Sequence, residues 1–308
     1  MQVSVIIPTY KGQDNLARAI DSVLAQNDFS DFEIIVVDDN DPKSIDRAQT
    51  ETVMNSYKNN EKVKYIKHRC NLNGSAARNT GVKNSQGKYI ALLDDDDVFL
   101  PDKLRLQCAY MNNHPEFEGS YTWRKTSKGD VISYSKKGDL SKEILLSLFF
   151  PTTITLMVRK EIYCALGGFD ESFRRHQDFE FLLRFFREYK LGVVCEPLSV
   201  VIGKTTDKPK ICGNELDMLK ERFLATFQED IDRIDKNEPG FRRKVYCVNW
   251  TDVLFNHLKY QEFDNAKKIF LMLIREYGLY EVGQIIEAGS RTIIRKNRFV
   301  RKLTRQAQ

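Results

Sequence analysis

The runs Val3-Ser4-Val5-Ile6-Ile7-Pro8 and Phe32-Glu33-Ile34-Ile35-Val36-Val37 decide the fold class. Both are nearly continuous in Val and Ile, the composition of strands buried on two faces of a parallel sheet. Between them Leu16, Ala19, Ile20, Val23 and Leu24 share one face of a helix expected over 15–26. Strand, helix and strand make a unit whose right-handed crossover brings both strand C-termini to one sheet edge. Residues 63–67 predict a third strand, 76–84 a short helix and 89–93 a fourth buried strand. The first half therefore reads as an α/β domain of nucleotide-binding layout.

Further along, Pro101 opens a helix reaching about 113, and 120–134 reads as two strands joined through Lys128-Gly129-Asp130. A strand is expected over 153–158, then a helix ending at Gly167-Gly168. After Asp178, the spacing of Phe181, Leu182, Phe185 and Phe186 predicts an amphipathic helix, and 191–201 returns as strand. Residues 203–214, rich in Gly, Lys, Thr and Pro, have loop composition. The expected organisation is a catalytic-type domain over 1–212 and a helical region over 213–308. Its helices should span about 216–235, 241–260 and 262–277.

Of 308 residues, 42% are hydrophobic and 30% charged, which describes a soluble globular chain rather than a disordered one. The formal charge is +5, but 291–308 hold seven basic residues and no acidic one, so the remainder is slightly acidic. A nucleic-acid partner needs a basic face on the folded domain itself, so none is expected. Cys70, Cys108, Cys164, Cys195, Cys212 and Cys247 are scattered, with no zinc spacing, which points to a reducing, cytoplasmic setting. The N-terminal apolar run is too short for a signal peptide. The longest uncharged stretch, 144–158, is shorter than a membrane span and is interrupted by Pro151. In the tail from about 291, Ile293, Ile294, Phe299, Val300 and Leu303 interleave with the cations, a pattern suited to peripheral contact with an anionic membrane face.

Acids close the predicted strands: Asp38-Asp39 after the second, Asp94-Asp95-Asp96-Asp97 after the fourth, with Asp178 opening a later helix. Ligands of open α/β sheets bind at that carboxyl edge, so acids far apart in sequence can converge there. Four consecutive carboxylates repel one another, and a hard divalent cation such as Mg²⁺ or Mn²⁺ relieves this through oxygen ligands. A solvated acidic turn is the competing account of the run taken alone.

Five motifs stand in one register: Ser4-Val5-Ile6-Ile7-Pro8-Thr9-Tyr10, Val36-Val37-Asp38-Asp39, Gly74-Ser75-Ala76-Ala77-Arg78-Asn79, Leu92-Leu93-Asp94-Asp95-Asp96-Asp97, and Gly167-Gly168-Phe169-Asp170-Glu171 with Gln177-Asp178. Together, over about residues 3–200, they resemble family 2 glycosyltransferases of the GT-A fold. That resemblance implies a Rossmann-like nucleotide-diphospho-sugar transferase domain. It also implies inverting transfer of a sugar, most often from a UDP-sugar, to a glycan or lipid-linked acceptor in surface polysaccharide synthesis.

Carried over by position, the resemblance places Pro8, Thr9, Tyr10 and Asp39 at the nucleoside, Arg78 near the donor phosphates, Asp94 and Asp95 on the nucleotide-sugar, and Asp96 on the metal. The chemistry is compatible: a Tyr10 ring can stack on uracil, and a carboxylate can accept its N–H. A guanidinium suits phosphate oxygens. Asp178 matches the family's base, which takes the acceptor proton as the hydroxyl attacks. Here Gln177 replaces the commoner acidic neighbour. The competing account of Asp178 is that it caps the helix that follows it. Glu180 and Arg184 match family positions but also form an i, i+4 ion pair. Lys204, Lys208 and Lys210 lie where similar enzymes fold a segment over the diphosphate. Trp123 and Arg124 offer a platform for an acceptor sugar.

Two other classes compete. A sugar-1-phosphate nucleotidyltransferase needs a Gly-rich phosphate loop after the first strand, where this chain has Pro8-Thr9-Tyr10-Lys11-Gly12-Gln13. A noncatalytic nucleotide-sugar-binding module should have lost the metal and base residues, yet Asp94, Asp96 and Asp178 are present.

Overall fold

A computed structural model describes residues 1–173, 175–203, 213–279 and 282–283. The chain divides into two compact units, Met1–Ile144 with Phe149–Thr206, and Leu145–Leu148 with Asp207–Gln308. The sequence suggested a boundary near 212. The division falls slightly earlier and also lends four residues of the first half to the second unit.

Among the described residues the first unit is built on a nine-stranded mixed sheet. Its elements run β1 (Val3–Thr9), α1 (Gln13–Leu24), β2 (Phe32–Asp38), α2 (Ile45–Asn55), β3 (Val63–Lys67), α3 (Gly74–Lys83), β4 (Tyr89–Leu92), β5 (Val98–Phe99), α4 (Lys103–Asn113), β6 (Gly119–Thr126) and β7 (Val131–Ile132). There follow α5 (Ser141–Leu145), a single 3₁₀ turn at Thr153–Thr155, β8 (Met157–Arg159), α6 (Lys160–Ala165), α7 (Gln177–Phe185) and β9 (Leu191–Val201). The strand order is β3-β2-β1-β4-β8-β6-β9-β5, with β7 pairing to β6.

The first four strands of that order are parallel, and β1, β2 and β4 carry the buried apolar runs expected of such strands, while no residue of the edge strand β3 is fully buried. Val3, Val5, Ile7, Ile34, Val36 and Ala91 pack with Leu16, Ala19, Ile20 and Val23 of α1 in one core, none more than 2% exposed. The order reverses between β1 and β4, and such a switch point opens a crevice at the strands' carboxyl ends. The strand expected over 153–158 is mostly absent. Residues 153–155 turn instead, and pairing begins only at Met157.

The second unit contains α8 (Asn214–Thr226), α9 (Gln228–Asn237), α10 (Phe241–Lys259) and α11 (Phe263–Tyr277). The single helix expected over 216–235 is broken at Phe227, whose ring is fully buried. Cys247, Val253, Leu254, Ala266, Ile269 and Leu273 form its core. Beside them, His257 is fully buried with Nε2 2.8 Å from Asp217 and Nδ1 2.5 Å from Glu262. Burial opposes the charge on this imidazole, but the hydrogen bonds and charges of the two carboxylates prevail and raise its pKa above 6.5.

A raised folded pKa stabilises fully below the unfolded value and is lost as pH climbs through the folded one. The thermal midpoint of this unit, followed by Trp250 fluorescence, should therefore fall as pH rises above about 6.5. The slope should flatten in His257→Gln; an unchanged slope would show that the imidazole is not the linked group. Asp217→Asn, which strips a buried charge of one partner, should cost on the order of 3 kcal/mol.

Among the described residues no helix is long and apolar enough to cross a membrane. The lysines at 204, 208 and 210 and the basic tail from 291 lie outside the described residues.

Candidate active site

The two acidic strand ends and Asp178 belong to one unit, and their surroundings differ sharply. Asp39 is 2% exposed and its carboxylate is full. Oδ1 lies 2.7 Å from His68 Nδ1 and accepts the Leu72 N–H at 2.8 Å; Oδ2 accepts from Asn71 Nδ2 at 2.9 Å and the Asn73 N–H at 2.8 Å. A carboxylate has about four acceptor sites. These four contacts bind residues 68–73 to the end of β2. Asp38 is engaged by Asn40, Tyr65 and Arg47.

The loop after β1 meets the acidic run directly. The Tyr10 N–H donates to Asp95 Oδ2 at 3.3 Å, and Lys11 N–H donates to Asn40 Oδ1 at 2.8 Å. A Cβ at Gly12 would stand 1.7 Å from Asp95 Oδ2 and 2.8 Å from Thr9 Oγ1, so any larger residue there displaces the Asp95 carboxylate. Pro8 is the last residue but one of this strand, in register with Val37. Thr9 is 1% exposed and its Oγ1 has no hydrogen-bond partner, whereas the Tyr10 side chain is 44% exposed.

Within the run each carboxylate has its own neighbours. Asp94 Oδ1 is 2.6 Å from Arg78 Nη2. Asp97 Oδ1 accepts the Ile202 and Gly203 N–H groups, tying the run to the end of β9. Burial first, then the charges of Asp94 and Asp96, push the Asp97 carboxyl up to about 7. Asp96 is held through its backbone, whose carbonyl accepts from Arg18 Nη2 at 3.0 Å. Its Oδ2 is buried with no hydrogen-bond partner. One oxygen each from Asp94, Asp96 and Asp97 lies within 4.8 Å of the others. A buried, unpartnered carboxylate oxygen in an all-oxygen cluster is what a hard divalent cation requires. The donor set fits Mn²⁺ or Mg²⁺.

Arg78 joins this cluster to the candidate base. Buried at 8% exposure, it donates from Nη1 to Gln177 Oε1 at 3.0 Å while Nη2 holds Asp94. The sequence pointed to donor phosphate for this guanidinium; the structure shows its fork spanning α3, the acidic run and the start of α7. Asp178 follows Gln177 in the first turn of α7, and the helix N-cap is His176, in the left-handed region at φ 59°. Asp178 is not the N-cap residue, but its Oδ1 accepts the Phe179 N–H at 3.0 Å and so also serves a first-turn donor of α7. It is half-buried, and burial pushes its carboxyl up to about 6, with Arg78 lowering and Asp94 raising it.

The glycine motif positions α7. At Gly168, φ is +74° and a Cβ would fall 2.4 Å from Asn79 Oδ1, so both conformation and space demand glycine. Asn79 of α3 accepts the Phe169 N–H and donates to the Phe169 carbonyl, both at 2.9 Å. Arg184 pairs with Glu180 and also donates to the Leu166 and Gly168 carbonyls, so this pair locks α7 to the turn before it. On the other side, Trp123 Nε1 donates to the Tyr134 carbonyl, which gives its indole a packing role in the β6–β7 hairpin. Arg124 senses the charges of Asp178 and Asp97 and donates to the Phe150 carbonyl at 3.3 Å. Sequence reasoning missed His68, Asn71, Arg18 and Arg47. The available signal was their polar type in loops beyond strand ends or on faces turned to that edge.

A mixed α/β sheet with acids gathered at its carboxyl edge defines the GT-A class of glycosyltransferase, and known structures agree. The crystal structure of Staphylococcus aureus TarS 1-349 in complex with UDP-GlcNAc superposes with a TM-score of 0.61 at 17% identity, covering 100% of this chain and 93% of that one. The family model described as glycosyl transferase family 2 matches residues 4–167, just over half of the sequence. The chain belongs to glycosyl transferase family 2. An uncharacterized glycosyltransferase of Methanocaldococcus jannaschii is 30% identical over 253 residues, 79% of this chain and 83% of that protein. The Staphylococcus aureus poly(ribitol-phosphate) beta-N-acetylglucosaminyltransferase TarP is 32% identical over 166 residues, 52% of this chain and 50% of that protein.

Proposed function

We propose that this glycosyltransferase moves a sugar from a UDP-sugar to a hydroxyl of a glycan or lipid-linked acceptor, with inversion, during cell-surface polysaccharide synthesis. The observation that carries this reading is the Arg78 bridge, which brings the acidic run and the base candidate into one site. The UDP-GlcNAc complex of TarS and the named activity of TarP support the donor class and the setting.

In this reading Tyr10 stacks on the nucleobase, and Asp39 acts indirectly by holding residues 71–73 where α3 begins. Pro8 and Thr9 shape the nucleoside side, and Asp95 fixes the loop after β1. Asp96, with Asp94 and Asp97, holds Mn²⁺ or Mg²⁺. When bound, such a cation neutralises charge developing on the departing diphosphate. Asp178 accepts the proton of the acceptor hydroxyl. The acceptor oxygen forms its bond to the anomeric carbon as the bond to the diphosphate oxygen breaks, and that oxygen leaves with the electron pair. Arg78 holds Gln177 and so fixes the turn that presents Asp178. The 1–212 region carries this chemistry, while the helical region and basic tail serve acceptor or membrane contact at the cytoplasmic face.

The test is nucleotide release from a panel of UDP-sugars with and without saccharide acceptor. Acceptor-dependent release of UDP from one donor is the expected result. Exchange that requires pyrophosphate would establish nucleotidyl transfer instead, and binding without any turnover would establish a noncatalytic module.

A further inference from the structure

The helical unit contains a cavity of about 330 Å³ lined by Glu221, Leu224 and Ala225 of α8, Gln228 of α9, and Tyr246 and Trp250 of α10. That volume is at the lower end of the range for small-molecule sites. Tyr246 and Trp250 are four residues apart and so share one helix face. Both rings are held in place: Trp250 packs on the Cys247–Leu273 core, and the Tyr246 hydroxyl donates to Gln228 Oε1. Gln228 is in turn held by donation from Nε2 to Asp232 Oδ1 at 2.6 Å. Leu224, 2% exposed, supplies an apolar wall.

Two polar groups of this lining are uncommitted. Among the described residues, neither the Glu221 carboxylate nor the Trp250 indole N–H has a hydrogen bond or ion pair. The cavity thus offers two aromatic surfaces, one charged acceptor and one donor. We propose that it is a saccharide-binding site, in which a pyranose ring lies against Trp250 and its hydroxyls bridge Glu221 and the indole N–H. A sugar hydroxyl both donates and accepts, and the C–H face of the ring packs on an aromatic surface. A quaternary ammonium would satisfy the rings and Glu221 but has no acceptor for the indole N–H. The inference extends the transferase reading by giving the helical unit a hold on the glycan that is extended, and it is tested without turnover.

The chain has only two tryptophans, Trp123 and Trp250, so 5-fluorotryptophan labelling gives two ¹⁹F resonances, assigned with Trp250→Phe. Titrating the full chain with chitotriose or maltotriose should move the Trp250 resonance saturably and leave Trp123 in place. Glu221→Ala, on an exposed part of α8, should weaken binding about tenfold, the loss of a hydrogen bond to a charged group. UDP release in that variant at saturating acceptor should be unchanged. No Trp250 shift with either sugar, equal shifts of both resonances, or a response to tetramethylammonium instead would each overturn the proposal. If the sugars shift Trp250 but no UDP-sugar is turned over, the site stands and the transferase reading falls.

Discussion

Asp178→Asn is expected to lower the turnover of sugar transfer about 10²- to 10⁴-fold, the usual range for a positioned general base. Donor binding should persist, because the amide keeps the shape of the side chain and Arg78 still holds Gln177. In the wild type the carboxyl stands at about 6, raised chiefly by burial. A base must be ionised, so kcat should rise with pH through about 6 and then level. Measuring kcat against pH in both proteins decides the matter: a variant of near-native rate, or a wild-type profile without the rise near 6, removes Asp178 from the proton transfer.

Asp96→Asn should produce the other large loss, of at least ~100-fold in transfer and of most of the stabilisation that Mn²⁺ or Mg²⁺ gives the wild type. Its carboxylate has the one buried oxygen of the acidic run without a hydrogen-bond partner. Asp94 and Asp97 each have protein donors, Arg78 for one and the Ile202 and Gly203 N–H groups for the other. Cation titration of the thermal midpoint, run beside nucleotide release, separates binding from rate. If Asp96→Asn keeps its cation response while Asp94→Asn loses it, the principal ligand is Asp94.

Strands β1, β2 and β4 were legible because burial on both faces leaves a record in composition; β3 was legible although no residue of it is fully buried. Strand β1 runs Val3–Thr9 where the pattern marked 3–8, and β3 matches 63–67 at both ends. Helix α2 left no such record: over Ile45–Asn55 only Arg47, Thr50 and Met54 are buried, and two of those are polar. The break at Phe227 was hidden for the opposite reason, since apolar spacing continues across it into α9. At the site, the acids themselves were readable as carboxylates following buried strands. What they do was less so. That Asp39 holds His68, Asn71, Leu72 and Asn73 depends on residues about thirty positions away, and that Arg78 reaches Gln177 depends on a contact across 99 positions. Local pattern carries no information about such partners. The chemistry of a side chain is visible in sequence, but whether its hydrogen-bonding capacity is open or already used is not.

The contact between the β1 loop and the acidic run also bears on how the donor pocket can change. Gly12 has an ordinary backbone conformation, φ −111°, so nothing in its dihedral angles demands glycine. The constraint is space: the Asp95 carboxylate lies where a side chain would begin, and Thr9 Oγ1 stands 2.8 Å away. A library randomised at position 12 alone should return glycine. A library randomised at 12 and 95 together has room for new pairs, because a smaller residue at 95 removes the 1.7 Å contact and leaves only the Thr9 hydroxyl, the end of a side chain, to give way. Two walls of the pocket, more than eighty residues apart in the chain, can therefore be remodelled only as a pair. A search for altered donor preference gains more from that double position than from either site by itself.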